Sequence, residues 1–83
     1  MNTDGYTARH RAMLKAIADG RGELVWGRIP SLTVDGRWCD FTATNELFTG
    51  GLFRPAREPA FGASAPAVLT TSGARVLSSF AAA

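Results

Sequence analysis

Between Asp40 and Arg75 the chain changes its period twice, and that alternation limits what it can fold into. Residues 40–49, Asp-Phe-Thr-Ala-Thr-Asn-Glu-Leu-Phe-Thr, run into Gly50-Gly51, a pair suited to ending a helix. Leu52-Phe53-Arg54 then favours a strand, which Pro55 confines to an edge or an end because proline has no N–H to give a ladder. Residues 56–66 hold Pro59, Gly62, Ser64 and Pro66 beside an Arg57-Glu58 pair, a composition for a loop. Ala67-Val68-Leu69 returns as the partner strand. Thr70 is placed to cap a last helix carrying Val76, Leu77 and Phe80 on one side, before a fraying tail at 81–83. The order is helix, hairpin, helix.

The first half is read in the same way. Residues 1–5 are a short polar lead-in. Thr7 is a good N-cap, and Tyr6, His10, Met13, Leu14 and Ile17 recur at spacings of three and four, with Arg11, Lys15 and Asp19 on the other side. This predicts an amphipathic helix of about three turns, ended at Gly20. Residues 23–29, Glu-Leu-Val-Trp-Gly-Arg-Ile, favour a strand that Pro30 interrupts. Ser31–Val34 meets Asp35-Gly36, a dipeptide common in tight hairpin turns. One reading is a small hairpin; the other makes Pro30–Val34 the remnant of a second helix. Arg37–Thr49 is read as a helix burying Trp38, Cys39, Phe41, Leu47 and Phe48 and exposing Thr42, Thr44, Asn45 and Glu46.

Length and charge narrow the function classes. With 83 residues there is room for one domain, and its core has to be compact. Apolar residues are 46% of the chain and charged residues 19%, the balance of a folded domain. Nine basic residues against seven acidic ones give a net charge of +2, too little to argue for nucleic acid alone. Eight of the nine are Arg, whose planar fork suits phosphate and guanine, although nucleotide composition gives the same bias. Cys39 is the only cysteine, so no intrachain disulfide and no Cys-rich zinc site is expected. No segment reaches the length of a bilayer span and the first residues do not read as a signal peptide, so the expectation is a cytoplasmic protein.

Three pieces carry a resemblance to a known family. These are the opening residues 6–14, Tyr-Thr-Ala-Arg-His-Arg-Ala-Met-Leu; then Gly51-Leu52-Phe53-Arg54; and then residues 69–77, Leu-Thr-Thr-Ser-Gly-Ala-Arg-Val-Leu, which look like a Leu-Thr-x-x-Gly-x-x-x-Leu pattern. In that order the chain resembles the winged helix-turn-helix family, and within it small MarR-like and phage-type DNA-binding domains. The resemblance implies an α+β fold over 1–83, three helices with a small β-hairpin wing, with 37–49 as reader helix and 54–67 as wing. It also implies a transcriptional regulator on double-stranded DNA, often a homodimer, with the closing helix around Phe80 as the dimer surface. Two departures stand out. Residues 22–34 do not read as the family's second helix, and no Lys or Arg lies between Asp40 and Thr49.

On this reading Thr42, Thr44 and Asn45 meet base edges, Asn being suited to adenine and Thr to either base or a thymine methyl. Arg37, Arg54 and Arg57 meet phosphates. Asp40 and Glu46 count against it if they face the duplex. His10, the only histidine, is read as a packed structural residue and Cys39 as a small buried hydrophobe. No nucleophile–base pair and no phosphate-cradling loop is found, so neither an enzyme, a cofactor nor a metal is expected. The rival expectation is a protein-interaction module of the same shape, anchored by Trp26, Trp38, Phe53 and Phe61.

Overall fold

The first helix, α1 (Ala8–Ala18), is closed at both ends by side chains and turns adjacent in sequence. Thr7, in an extended conformation, accepts the His10 backbone N–H, and the His10 ring Nδ1 accepts the Thr7 backbone N–H at 2.8 Å. This is the reciprocal cap usually completed by Glu or Gln, here completed by histidine. At the other end Gly20 has φ +80°, and its N–H reaches the Ile17 carbonyl while the Arg21 N–H reaches that of Ala16. The expected helix and its buried side are thus present, with His10, Met13, Leu14, Ala16 and Ile17 buried. The computed structural model describes residues 5–82; residues 1–4 of the expected lead-in at 1–5 and the last residue of the expected tail, 83, lie outside the described residues.

Residues 22–38 form strands. β1 (Gly22–Val25) pairs antiparallel with β2 (Ser31–Val34), Leu24 opposite Leu32. β2 in turn pairs with β3 (Arg37–Trp38), Val34 opposite Arg37 and Thr33 opposite Trp38. Asp35 and Gly36, at φ +53° and +79°, make the two-residue turn between them, both residues having the positive φ that matches strand twist. Of the two readings of 31–34, the strand is therefore the one found. Two expectations are corrected: β1 stops at Val25 rather than continuing to Ile29, and the helix expected over 37–49 begins only at Phe41, as α2 (Phe41–Thr49). The Asp35–Gly36 turn commits Arg37 and Trp38 to pairing, and Asp40 then caps the helix.

β4 (Phe53–Pro55) and β5 (Ser64–Leu69) make the second hairpin, Phe53 opposite Leu69 and Arg54 opposite Val68. β5 also pairs with β1, Leu24 opposite Ala65, so both hairpins join in one antiparallel sheet of order β3-β2-β1-β5-β4. The sheet is larger than the two-stranded wing expected. Its alternation follows the pleat: Leu24, Leu32, Phe53, Ala65 and Ala67 are buried, while Glu23, Arg54, Ser64 and Pro66 are exposed. α1 packs against β1, β2 and β5, and α2 against β2 and β4. The last helix, α3 (Thr71–Ala82), lies on α1 and β5 and runs past the expected start of the tail at 81. The result is a small α+β domain, three helices and one five-stranded sheet among the described residues.

The two hairpin-flanking helices meet at a tight backbone junction. Gly51, at φ +72°, ends α2, with its N–H on the Phe48 carbonyl and the Leu52 N–H on that of Leu47. Thr70 then ties α3 to this turn. Its N–H donates to the Leu52 carbonyl at 3.1 Å, its hydroxyl donates to the Gly51 carbonyl, and the same oxygen accepts the Gly73 N–H at 3.1 Å. Gly73 lies so close to Leu52 that a Cβ there would overlap its carbonyl oxygen. Beneath this close contact Leu47, Leu52, Phe53 and Val76 are at most 2% exposed.

Candidate nucleic-acid interface

α2 owes its direction to Asp40. One carboxylate oxygen accepts the Ala43 N–H at 2.7 Å, satisfying a free donor of the first turn. From that start Ala43, Thr44 and Leu47 fall towards the core, while Phe41, Thr42, Asn45, Glu46 and Thr49 face outwards. Thr42 and Asn45, one turn apart, are on the surface as expected. Thr44 is not: it is 1% exposed, and its hydroxyl donates to the Asp40 carbonyl at 2.8 Å. A side chain so placed has no surface to offer a base edge, so Thr44 is corrected from a reading residue to a core one. Its hydroxyl is tolerated in the core because the helix's own carbonyl receives the proton.

Both acidic residues that count against the reading have partners on α1, although Glu46 stays half exposed on the outward side. Arg9 Nη1 lies 2.9 Å from Asp40 Oδ2, and His10 Nε2 lies 3.0 Å from Glu46 Oε1. Because His10 Nδ1 accepts the Thr7 N–H, the proton of the neutral ring sits on Nε2 and is donated to Glu46. Tyr6 packs edge-on against the His10 ring, 5.3 Å between centroids. His10 is 4% exposed, in agreement with the structural role read for it. Two surface grooves border this seam. One, of about 520 Å³, includes Thr7, His10, Thr42 and Glu46 in its walls; the other, of about 500 Å³, is walled by Ala12, Met13, Ala16, Val34 and Cys39. Burial pushes the Cys39 thiol above its ordinary range, which disfavours the reactive thiolate.

Ion pairing sorts the remaining charges. Asp19 and Asp35 are taken by Lys15 and Arg21, and Asp40 by Arg9. Among the described residues Arg11, Arg28, Arg37, Arg54, Arg57 and Arg75 have no carboxylate partner. Arg37, Arg54 and Arg57 are all exposed, but they do not form one cluster. Arg37 is on β3 and Arg54 on β4, the two opposite edges of the sheet, so four strand spacings of about 4.8 Å, roughly 19 Å, separate their strands. Arg54 reaches only the neighbouring Pro55 carbonyl, at 3.3 Å. α2 runs between these edges, with Arg37 before its N-terminus and Arg54 and Arg57 beyond its C-terminus.

The aromatic residues were the least well read. Trp38 and Phe41, expected on the buried side of a helix, are 69% and 54% exposed. Trp38 stands on β3 opposite Thr33, and Phe41 is the first residue of α2, pointing away from the Ala43–Leu47 side. Of the four proposed interface anchors, Phe53 is core at 2% exposure, and Trp26 is part-buried and edge-on to Phe48. Phe61, in the β4–β5 loop, is 79% exposed. Phe80, expected at a dimer surface, packs partly buried against the core of its own chain. The signal for Trp38 was available in Asp35-Gly36, since a two-residue turn sets residue 38 across from residue 33.

Comparison with protein-family models, with curated proteins and with solved structures gives no match. Among the described residues no helix is long and apolar enough to cross a membrane.

Proposed function

We propose that this chain is a small winged-helix-like DNA-binding domain, acting as a transcriptional regulator, with α2 as reader and the β4–β5 hairpin as wing. The observation that carries this reading is the separation of charge around α2. Both carboxylates of the helix and its cap are engaged by α1, whereas Arg37, Arg54 and Arg57 flank the helix without acidic partners. A polyanion approaching α2 meets Thr42, Asn45 and Thr49 beside a half-exposed Glu46 that is tied to His10, with Arg37 before the helix and Arg54 and Arg57 after it along the chain. In this reading β2 and β3 stand where the family's second helix would be, and Asn45 is the side chain best suited to a base edge. Pairing of two copies belongs to the same reading, since one module of this size makes few phosphate contacts.

The test is a titration of duplex DNA at several salt concentrations. Affinity should fall as salt rises, and each of Arg37→Ala, Arg54→Ala and Arg57→Ala should lower the slope of log affinity against log salt by about 0.9. Absence of binding at about 50 mM salt, or slopes unmoved by all three changes, overturns the reading. A protein-interaction module is the second reading. Phe61, exposed in the hairpin loop, favours it because large exposed aromatics are the usual anchors of interfaces. A stoichiometric protein partner that survives nuclease treatment and is lost with Phe61→Ala selects it.

A further inference from the structure

We propose that Trp38 and Phe41 form a stacking slot for an unpaired nucleobase, a binding site for single-stranded nucleic acid that does not depend on duplex reading by α2. A cavity of about 210 Å³ lies between these residues, closed below by Leu32, Cys39 and Thr44 and bordered by Ser31. Its lining is largely apolar, and two of its walls are exposed aromatic side chains. Neither ring packs on another aromatic: the ring contacts among the described residues are Tyr6–His10, Trp26–Phe48 and Phe48–Phe53. Leaving two large rings in water is unfavourable, and a flat apolar surface set between them recovers that area.

Charge selects the occupant. Arg37 precedes Trp38 in β3, Arg28 lies three residues before Ser31, both are exposed, and neither has a carboxylate partner among the described residues. Nearby, Asp40 is already held by Arg9 and by the helix cap. Exposed aromatic rings with unpartnered arginines close to them along the chain match a strand whose bases stack and whose phosphates are anionic. An added peptide strand fits less well, because β3 contributes only Arg37 and Trp38 to the sheet edge and supports little main-chain pairing. The slot carries no buried charge and no fan of fixed donors, so its preference is for a base over no base rather than for one base over another.

The experiment uses the whole chain, a short single-stranded oligonucleotide, an abasic strand of equal length, and a blunt duplex. The base-bearing strand should bind and quench tryptophan fluorescence, and the abasic strand should bind at least about tenfold more weakly. Trp38→Ala and Phe41→Ala should each weaken the base-bearing strand by about tenfold while leaving the abasic strand unchanged. Trp38→Phe, which keeps a ring, should restore most of the affinity and remove most of the quenching. Equal binding of the two strands, binding of neither, or insensitivity to both alanine variants overturns the slot; so does a protein partner that Trp38 recruits in place of nucleic acid. Duplex binding lost with Arg54→Ala but not with Trp38→Ala supports the reader helix and not the slot. Trp38-dependent single-strand binding without duplex binding supports the slot and not the reader.

Discussion

The junction of Leu52, Thr70 and Gly73 and the face formed by Trp38 and Phe41 are both made at element ends, yet they are built on opposite principles. At the junction every backbone group has a partner within the chain, and Gly73 touches the Leu52 carbonyl with no room for a Cβ. On the face, two of the chain's largest side chains are more than half exposed and neither packs on another ring among the described residues. The α1–α2 seam is intermediate, since buried His10 is tied at both ring nitrogens but to a Glu46 that is itself half exposed. The contrast separates two kinds of constraint. Residues that close backbone bonds hold the fold, whereas residues left without intramolecular partners mark where another molecule has to be sought.

The comparison can be broken most severely at Gly73. Gly73→Ala should lose about 3 kcal/mol or more, read from urea unfolding, because either the Leu52 carbonyl or the start of α3 has to move. A loss below about 1 kcal/mol would mean that the junction is soft and the contrast overstated. His10→Ala comes next, at about 2 kcal/mol, since it removes half of the reciprocal cap on α1 and leaves a gap in a buried position. A change as small as that of an exposed substitution, seen by thermal denaturation, would show that the seam contributes little.

Thr70→Ala should cost about 1 kcal/mol through the lost cap, with Thr70→Ser restoring most of it. If serine does not rescue, the methyl group rather than the hydroxyl is what the junction needs. The smallest effect is expected at Trp38→Ala, within about 0.5 kcal/mol of the parent in the same unfolding measurement, because an exposed ring with no ring partner holds nothing together. A loss comparable to that of Gly73→Ala would place Trp38 among the structural residues and remove the reason for proposing a ligand there.

Much of the architecture was legible where the signal is local. Thr7, Gly20, Gly51 and Thr70 do what their types and positions predict, because caps and positive-φ turns depend on neighbours a few residues away. The start of α2 was legible too, in Asp40, whose short carboxylate suits an N-cap, whereas the expected helix begins at Arg37. Placing the helix four residues early rotated Phe41 inwards and drew Trp38 in with it. Thr44 was harder: its polarity suggests a surface, and only the hydrogen bond to the Asp40 carbonyl explains its place in the core.

Residue chemistry along the chain thus points to three helices, the Asp35-Gly36 turn and a hairpin before the last helix, since each rests on short-range sterics and hydrogen bonding, whereas the reason Gly73 admits no side chain is the Leu52 carbonyl brought to it by the fold. The joining of both hairpins through β1 and β5 into one sheet depended on pairing between residues far apart in the chain, as Leu24 meets Ala65, and no local preference encodes it. The same holds for the site. That Arg9 and His10 hold the carboxylates of Asp40 and Glu46, while unpartnered arginines and two largely exposed aromatic rings remain outside, is set by how α1 lies against α2, because the free energy of a charge or a ring depends on what surrounds it in space.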